Sequence, residues 1–468
     1  MIPSFDASQP LSEGPRILCQ EAGWPTVFEL DEGQSIDMPG QGGRLRTVRL
    51  VGVRQFTEPD GWVPDNETRA IVVRAEVAVE IDGEPGTLLC RPYESPREIG
   101  GLRLYVEATR DWARTPQYLP LADMARSVRF SCVPAGEPWG PPLRFPIDGF
   151  RWRCSTYQNT WNALVPYNLL YYHRGEDFGA IPDRLDVVAP AAGRIVKSPR
   201  PDGDGRSNTL SIQLEGANAR LALAHMNVES IPAGMGVGKR VAVGDKLGQT
   251  GCTWSGRRSQ HADPHLHCGL RVAEVDVSLY PLIVESYFRT YPDAVLAIAG
   301  SFGFTTADGD YVCDGSRSVA RPGRRIVRWR WLLHDGRRVD GPVARATYDR
   351  PGAYVEELTV TADDGTEDVD FLHVRAYAPG KIRGIARGWL HTSPCRGIAP
   401  GMPVTVWSRI SEVRSAAVDF GDGRAPEPME SEMIHVYDKP GRYTIAVRGT
   451  GPDDEPVAMS VRVWVERN

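Results

Sequence analysis

The heptapeptide Tyr348-Asp349-Arg350-Pro351-Gly352-Ala353-Tyr354 returns as Tyr437-Asp438-Lys439-Pro440-Gly441-Arg442-Tyr443, and upstream of it Asp335-Gly336-Arg337 returns as Asp422-Gly423-Arg424. A repeat of about 90 residues is too long for a solenoid unit of roughly 20–50, so a small domain occurs twice. Alternating stretches such as Val404 to Ile410 and Tyr443 to Val447, broken by tight turns, read as strands of a β-sandwich. Two tandem sandwiches are therefore expected over 296–378 and 379–468. The same texture runs through the whole chain. Its 468 residues include 48 glycines and 38 prolines, with 41% hydrophobic residues. That is more Gly and Pro than the usual ~12%, yet short of the roughly 25–30% of low-complexity chains. Many short strands are favoured over long helices, and the fold class expected is mainly β and multidomain.

Residues 1–150 read as a β-rich domain. Arg44 to Phe56, Ile71 to Ile81 and Leu102 to Ala108 alternate, with Glu58-Pro59-Asp60-Gly61 and Asp82-Gly83 as turns. This part shows no chemistry, since no histidine precedes position 173. After the Pro-rich passage Pro134 to Pro146 comes a middle domain, 151–295, again of strands and glycine-marked turns. The net charge of −6 argues against a nucleic-acid binder, which draws on a positive surplus. Only five of the 54 basic residues are lysine, a bias read as genomic composition. No apolar run approaches the roughly 18 residues of a membrane span. The start, Met1 to Asp6, lacks the basic and apolar stretches of a secretory leader. Eight scattered cysteines include no C-x-x-C pair, which argues against a structural zinc ribbon or a thioredoxin-type site.

The second repeat, Val418-Asp419-Phe420-Gly421-Asp422-Gly423 followed by His435, Tyr437, Pro440-Gly441 and Tyr443, resembles the PKD-type sandwich. The first copy departs from it in its turn, Trp331-Leu332-Leu333-His334-Asp335-Gly336. The resemblance implies accessory domains for spacing or surface attachment. Seven arginines between Arg321 and Arg338 are interleaved with Trp329 and Trp331. Alternation puts both Trp toward the sandwich core and Arg328 and Arg330 outside, a face available to anionic wall polymers.

Five of the nine histidines fall between 173 and 267. His265 and His267, two apart, share one face of a strand. His173 and Asp177, four apart, match one strand face too, because Gly175 and Gly179 disfavour a helix. Two imidazoles and a carboxylate leave a tetrahedral Zn²⁺ with an open fourth position, as in catalytic sites. Zinc brings its water's pKa to roughly 7 and makes hydroxide available. The absence of H-E-x-x-H excludes the helical zincin arrangement.

These motifs resemble the lysostaphin-type (LytM-like) zinc endopeptidases. In order they are His173 to Asp177, Ala189-Pro190-Ala191-Ala192-Gly193-Arg194-Ile195-Val196, Ala224-His225, Val241 to Gly251, and His265-Leu266-His267. The resemblance implies an antiparallel-sheet peptidase domain in which His173, Asp177 and His267 hold one Zn²⁺. It gives His265 the base role toward the water and His225 a role in steadying the tetrahedral intermediate. It also implies a peptide substrate, most often the stem peptides or cross-bridges of peptidoglycan, cleaved by zinc-bound hydroxide. The location expected from that function is extracellular, periplasmic or at the cell surface. A trimmed or mis-started sequence would account for the missing leader.

The chain departs from the family pattern in two places. Leu223 stands where the family has Tyr, and the loop from Gly251 to Pro264 is longer, adding Cys252, Trp254, Arg257, Arg258 and His261. His261 reads as a solvated loop residue. Cys252 and Cys268 flank the insertion, and either a disulfide or core packing of Cys268 fits. Asp202-Gly203-Asp204-Gly205 reads as an ordinary turn rather than a Ca²⁺ site. Tyr167, Tyr171 and Tyr172 divide between core and groove. The rival reading is a non-catalytic wall-binding or scaffolding protein that keeps the peptidase fold.

Overall fold

The strand Gly352–Ala362 buries every second residue along its whole length, the period-two pattern of a sheet with one face on a core. Strands of this kind make up most of the computed structural model. It describes residues 14–466 apart from 60–69, 115–122, 153, 167–169, 201, 260–262, 301 and 379–386. Among the described residues the α-helices are Arg110–Arg114 and Tyr280–Thr290, and no helix is long and apolar enough to cross a membrane. His261, Tyr167, Asp60 and Gly61 lie outside the described residues.

The N-terminal region forms two antiparallel sheets. One is a meander of Ser35–Pro39, Leu45–Pro59, Ala70–Ile81 and Glu84–Cys90. Asp82 and Gly83, both at positive φ, make its last hairpin turn. The other sheet holds Thr26–Leu30, Val128–Pro134 and Leu102–Thr109 at its centre. Phe28 and Phe130 stack 5.2 Å apart in the core between the sheets. Trp161 and Tyr172 of the middle region complete that core.

The seam between the two regions turns on Glu107, which is 1% exposed. Its carboxylate accepts from Ser131 Oγ at 2.5 Å and from the Ser278 N–H at 2.8 Å. Its carbonyl accepts from Trp161 Nε1 and Asn162 Nδ2. Burial pushes this carboxyl up to about 7, against the pull of both serines and Arg129. Below the unfolded pKa of about 4.5 both states carry the proton and the group is neutral in effect. As pH rises toward 7 the unfolded chain ionises first, so stability falls, by about 3 kcal/mol in all. Glu107→Gln keeps an acceptor for Ser278 and offers Ser131 a donor. Its thermal midpoint is expected to lose this dependence and to exceed the wild type above pH 7, measured by thermal unfolding across pH 4.5–8.

The middle region is built on one antiparallel sheet. Its order is Gln158–Asn159, Glu176–Gly179, His265–Val272, Ala219–Ala224, Thr209–Leu214, Gly193–Lys197, Arg240–Val241, with Val275–Val277 paired to His265–Val272. Leu221, Leu223, Leu266, Cys268 and Leu270 pack on one face together with Phe145, Phe150 and Trp152 from the Pro-rich entry segment. The helix Tyr280–Thr290 starts with Pro281 in its first turn, where a missing N–H costs nothing. It buries Tyr287 against Phe145 and Trp152.

Two sandwiches follow, as the repeat requires. The first packs around Trp331, Tyr348, Leu358 and Val374, the second around Val406, Val418, Tyr437 and Val461. The repeated heptapeptide builds the same corner twice. Tyr354 Oη donates to the Arg350 carbonyl at 2.9 Å, and Tyr443 Oη to that of Lys439 at 2.8 Å. Gly336 and Gly423 take φ of 85° and 86° in the matching turns, a conformation that favours glycine. Trp331 is buried and Trp329 packs beside it, while Arg328 and Arg330 point outward to Asp340 and Glu367.

Of the two arrangements open for Cys252 and Cys268, the structure shows core packing. Cys252 and Cys268 are free and buried, Cys268 in the core behind the sheet. The disulfide joins Cys154 to Cys395, 241 residues apart, and so ties the middle region to the second sandwich. Local flanking positions gave no hint of a partner so distant in sequence.

Candidate metal centre

Strand pairing brings the site together. Glu176–Gly179 runs antiparallel to His265–Val272 with Asp177 opposite His267 and Gly179 opposite His265. The period of two turns both histidines to one face, while Leu266 between them enters the core. His173 arrives differently from the expectation. It does not share a strand with Asp177, because Leu170–Tyr172 and Glu176–Gly179 are separate strands joined through Gly175. Gly175 has φ 142°, and a Cβ there would overlap the Cys268 carbonyl and lie 2.9 Å from His267 Cε1. Gly175→Ala is expected to weaken metal binding and cost about 1–3 kcal/mol. Chelator competition and thermal unfolding would check both.

The break in the strand lets His173 turn back on Asp177. His173 Nε2 lies 3.1 Å from Asp177 Oδ2 and 3.1 Å from His267 Nδ1, and His267 Nδ1 lies 2.8 Å from Asp177 Oδ1. His173 Nδ1–H donates to the Thr160 carbonyl at 3.2 Å. A carbonyl only accepts, so the tautomer leaves a lone pair on Nε2, aimed at the cluster. Burial works to raise the Asp177 carboxyl, but the imidazoles of His173, His265 and His267 outweigh it and hold it well below the usual range.

His225 and His265 stand beside this cluster, their rings 4.5 Å apart. His225 follows the strand Ala219–Ala224 at φ 68°, and its Nδ1–H donates to the Thr253 carbonyl at 2.9 Å. His265 Nδ1–H donates to the Asp263 carbonyl at 2.7 Å, with Nε2 3.6 Å from Asp177 Oδ1. Burial lowers both, His225 to about 3 with help from the neighbouring imidazoles. Both are therefore neutral at pH 7, with lone pairs on Nε2.

All five residues named from the motifs converge here. The inserted loop contributes a hairpin, Thr253–Trp254 with Arg257–Arg258, whose Trp254 indole stacks on His225 at 5.3 Å and stays 51% exposed. Leu223 is in the core, and Tyr172 goes to the N-terminal core with its hydroxyl on the Val72 carbonyl. Asp204 accepts the Arg206 and Ser207 N–H groups, which makes its loop a turn. One contact has no motif behind it: Tyr157 Oη donates to Asp177 Oδ2 at 3.1 Å. Tyr157 lies upstream of every recognised motif, so only its aromatic character was visible.

Residues 171–279 match the model of peptidase family M23. The chain carries an M23 peptidase domain. PKD domain models match 303–375 and 389–459, so the peptidase domain is followed by two PKD domains. No curated protein matches the chain. Solved structures similar to it include fibronectin(III)-like modules of Clostridium thermocellum CbhA, at 16% identity over 37% of this chain and 95% of that one, TM-score 0.16. Another is the SGBP-B protein of a Bacteroides ovatus mixed-linkage glucan utilization locus in complex with a heptasaccharide, at 12% identity over 35% and 42%, TM-score 0.16. A Dscam structure matches at 10% identity over 89% and 100%, TM-score 0.14. At these scores the likeness carries no argument.

Proposed function

We propose that this chain is a zinc-dependent endopeptidase acting on peptide bonds of peptidoglycan stem peptides or cross-bridges. The observation that carries the proposal is the cluster of His173, Asp177 and His267, whose ligand atoms all lie within 4.8 Å of one another. Two imidazole nitrogens 3.1 Å apart beside a carboxylate suit a cation between them. Tetrahedral donors with bonds of about 2.0 Å sit about 3.3 Å apart, close to these spacings. Among the described residues the set ends at three, which leaves a position open to water or substrate. His173, Asp177 and His267 would hold one zinc ion. When bound, zinc supplies Lewis acidity to the scissile carbonyl and to water.

The remaining chemistry belongs to the two other histidines. His265 presents a basic Nε2 and takes the proton of the attacking water. His225 carries a lone pair on Nε2 at rest, so it steadies the developing oxyanion only once that nitrogen is protonated. Trp254 shields one face of the His225 ring. The hairpin that carries it reshapes the groove wall, which bears on substrate choice. The PKD domains are candidate contacts for surface polymers, which fits an extracellular, periplasmic or cell-surface location. The test is zinc analysis of the purified full chain, together with mass spectrometry of peptidoglycan digested by it. Released peptides with one zinc per chain support the reading. Bound metal with no released peptide favours a scaffold that keeps the fold.

A further inference from the structure

The second PKD domain reaches the metal centre through residues 154–157, which precede the M23 match. Cys154 is disulfide-bonded to Cys395. Ser155 bridges to His391 in the strand Arg387–Ser393, with Ser155 Oγ 2.7 Å from His391 Nδ1. The Thr156 N–H donates to the Leu390 carbonyl and the Leu390 N–H to Thr156 Oγ1, both at 3.0 Å. The Thr392 N–H donates to the Cys154 carbonyl at 3.0 Å. The segment thus lies along the edge of the second sandwich, joined to it by one antiparallel bridge.

Its far end belongs to the peptidase. The Tyr157 N–H donates to Ser155 Oγ at 2.9 Å, and the Tyr157 carbonyl accepts the Gly179 N–H at 2.9 Å. The phenol, buried against the His265 ring at 5.0 Å, donates to Asp177 Oδ2. Gly179 leaves room for this meeting. A Cβ there would overlap Ser155 Oγ and the Tyr157 carbonyl and lie 2.9 Å from His391 Cε1.

We infer that Tyr157 is a positioning residue which fixes the Asp177 carboxylate for metal binding, and that the second PKD domain holds Tyr157 in place through His391 and Ser155. The inference rests on the reading of His173, Asp177 and His267 as metal ligands. It gives this PKD domain a part in assembling the site, beyond spacing or attachment. A carboxylate with one oxygen hydrogen-bonded by a fixed phenol keeps a single rotation about its Cβ–Cγ bond. Hydrogen-bonding partners of metal ligands typically contribute about 10–100-fold to affinity.

The experiment uses the full chain and measures Zn²⁺ affinity by chelator competition and the visible spectrum of the Co²⁺-loaded protein. Tyr157→Phe, which removes only the hydroxyl, is expected to weaken zinc binding about tenfold or more and to shift the cobalt bands. His391→Ala is expected to weaken zinc binding by a smaller factor. The double variant is expected to be no weaker than Tyr157→Phe alone, as residues acting through one contact are not additive. Wild-type zinc affinity and an unshifted cobalt spectrum in Tyr157→Phe would overturn the positioning role. Wild-type affinity in His391→Ala, or full additivity with Tyr157→Phe, would overturn the part given to the PKD domain. A wild-type chain that takes up neither metal would overturn the ligand assignment instead.

Discussion

His265→Ala is expected to keep its zinc and to lose turnover by about 10²–10⁴-fold, the usual contribution of a positioned general base. The separation of the two effects follows from the geometry. His265 shares the strand face with His267, yet its Nε2 stands 3.6 Å from Asp177 Oδ1, outside the three-residue cluster. Its Nδ1–H is committed to the Asp263 carbonyl, so the free lone pair is the one that faces the site. Alanine removes the base and leaves three donors. Hydrolysis at the wild-type rate would sink the assignment, and steady-state turnover on a defined peptide, alongside zinc content, reads both quantities.

His267→Ala and Asp177→Ala should each lower zinc from about one ion per chain to background, with activity lost alongside. Two donors remain in either variant, and the losses differ in kind. Removing Asp177 also takes away the buried negative charge around which His173, His265 and His267 gather. An ion bound only by the folded state stabilises it, so a chelator should lower the thermal midpoint of the wild type. Neither variant should respond to the chelator. A chelator-sensitive midpoint in His267→Ala would place the ion elsewhere.

The histidine pair His265 and His267 was legible in the sequence because a strand's period of two leaves no other arrangement. The repeat was legible because its shared heptapeptide builds the same tyrosine corner in each copy and its shared Asp-Gly-Arg the same turn at Gly336 and Gly423. His173 and Asp177 do lie side by side, but through a different path, since Gly175 breaks the strand that their spacing suggests. Tyr157 was not legible. Its place depends on the register that sets Asn159 against Asp177, and on a partner strand at 387–393. Alternation and turn signals carry no information about pairings that distant. The same limit hid the Cys154–Cys395 bond and the insertion of Trp161 and Tyr172 into the N-terminal core.

The edge segment beside the metal centre has a consequence for the order in which the molecule is made. Residues 154–157 leave the ribosome long before the strand Arg387–Ser393 that they pair with. All strands of the peptidase sheet are therefore synthesised before the neighbour of its rim and before the partner of Cys154. On the positioning role inferred for Tyr157, the site is complete only once the second PKD domain, made after the peptidase sheet, pairs with that rim.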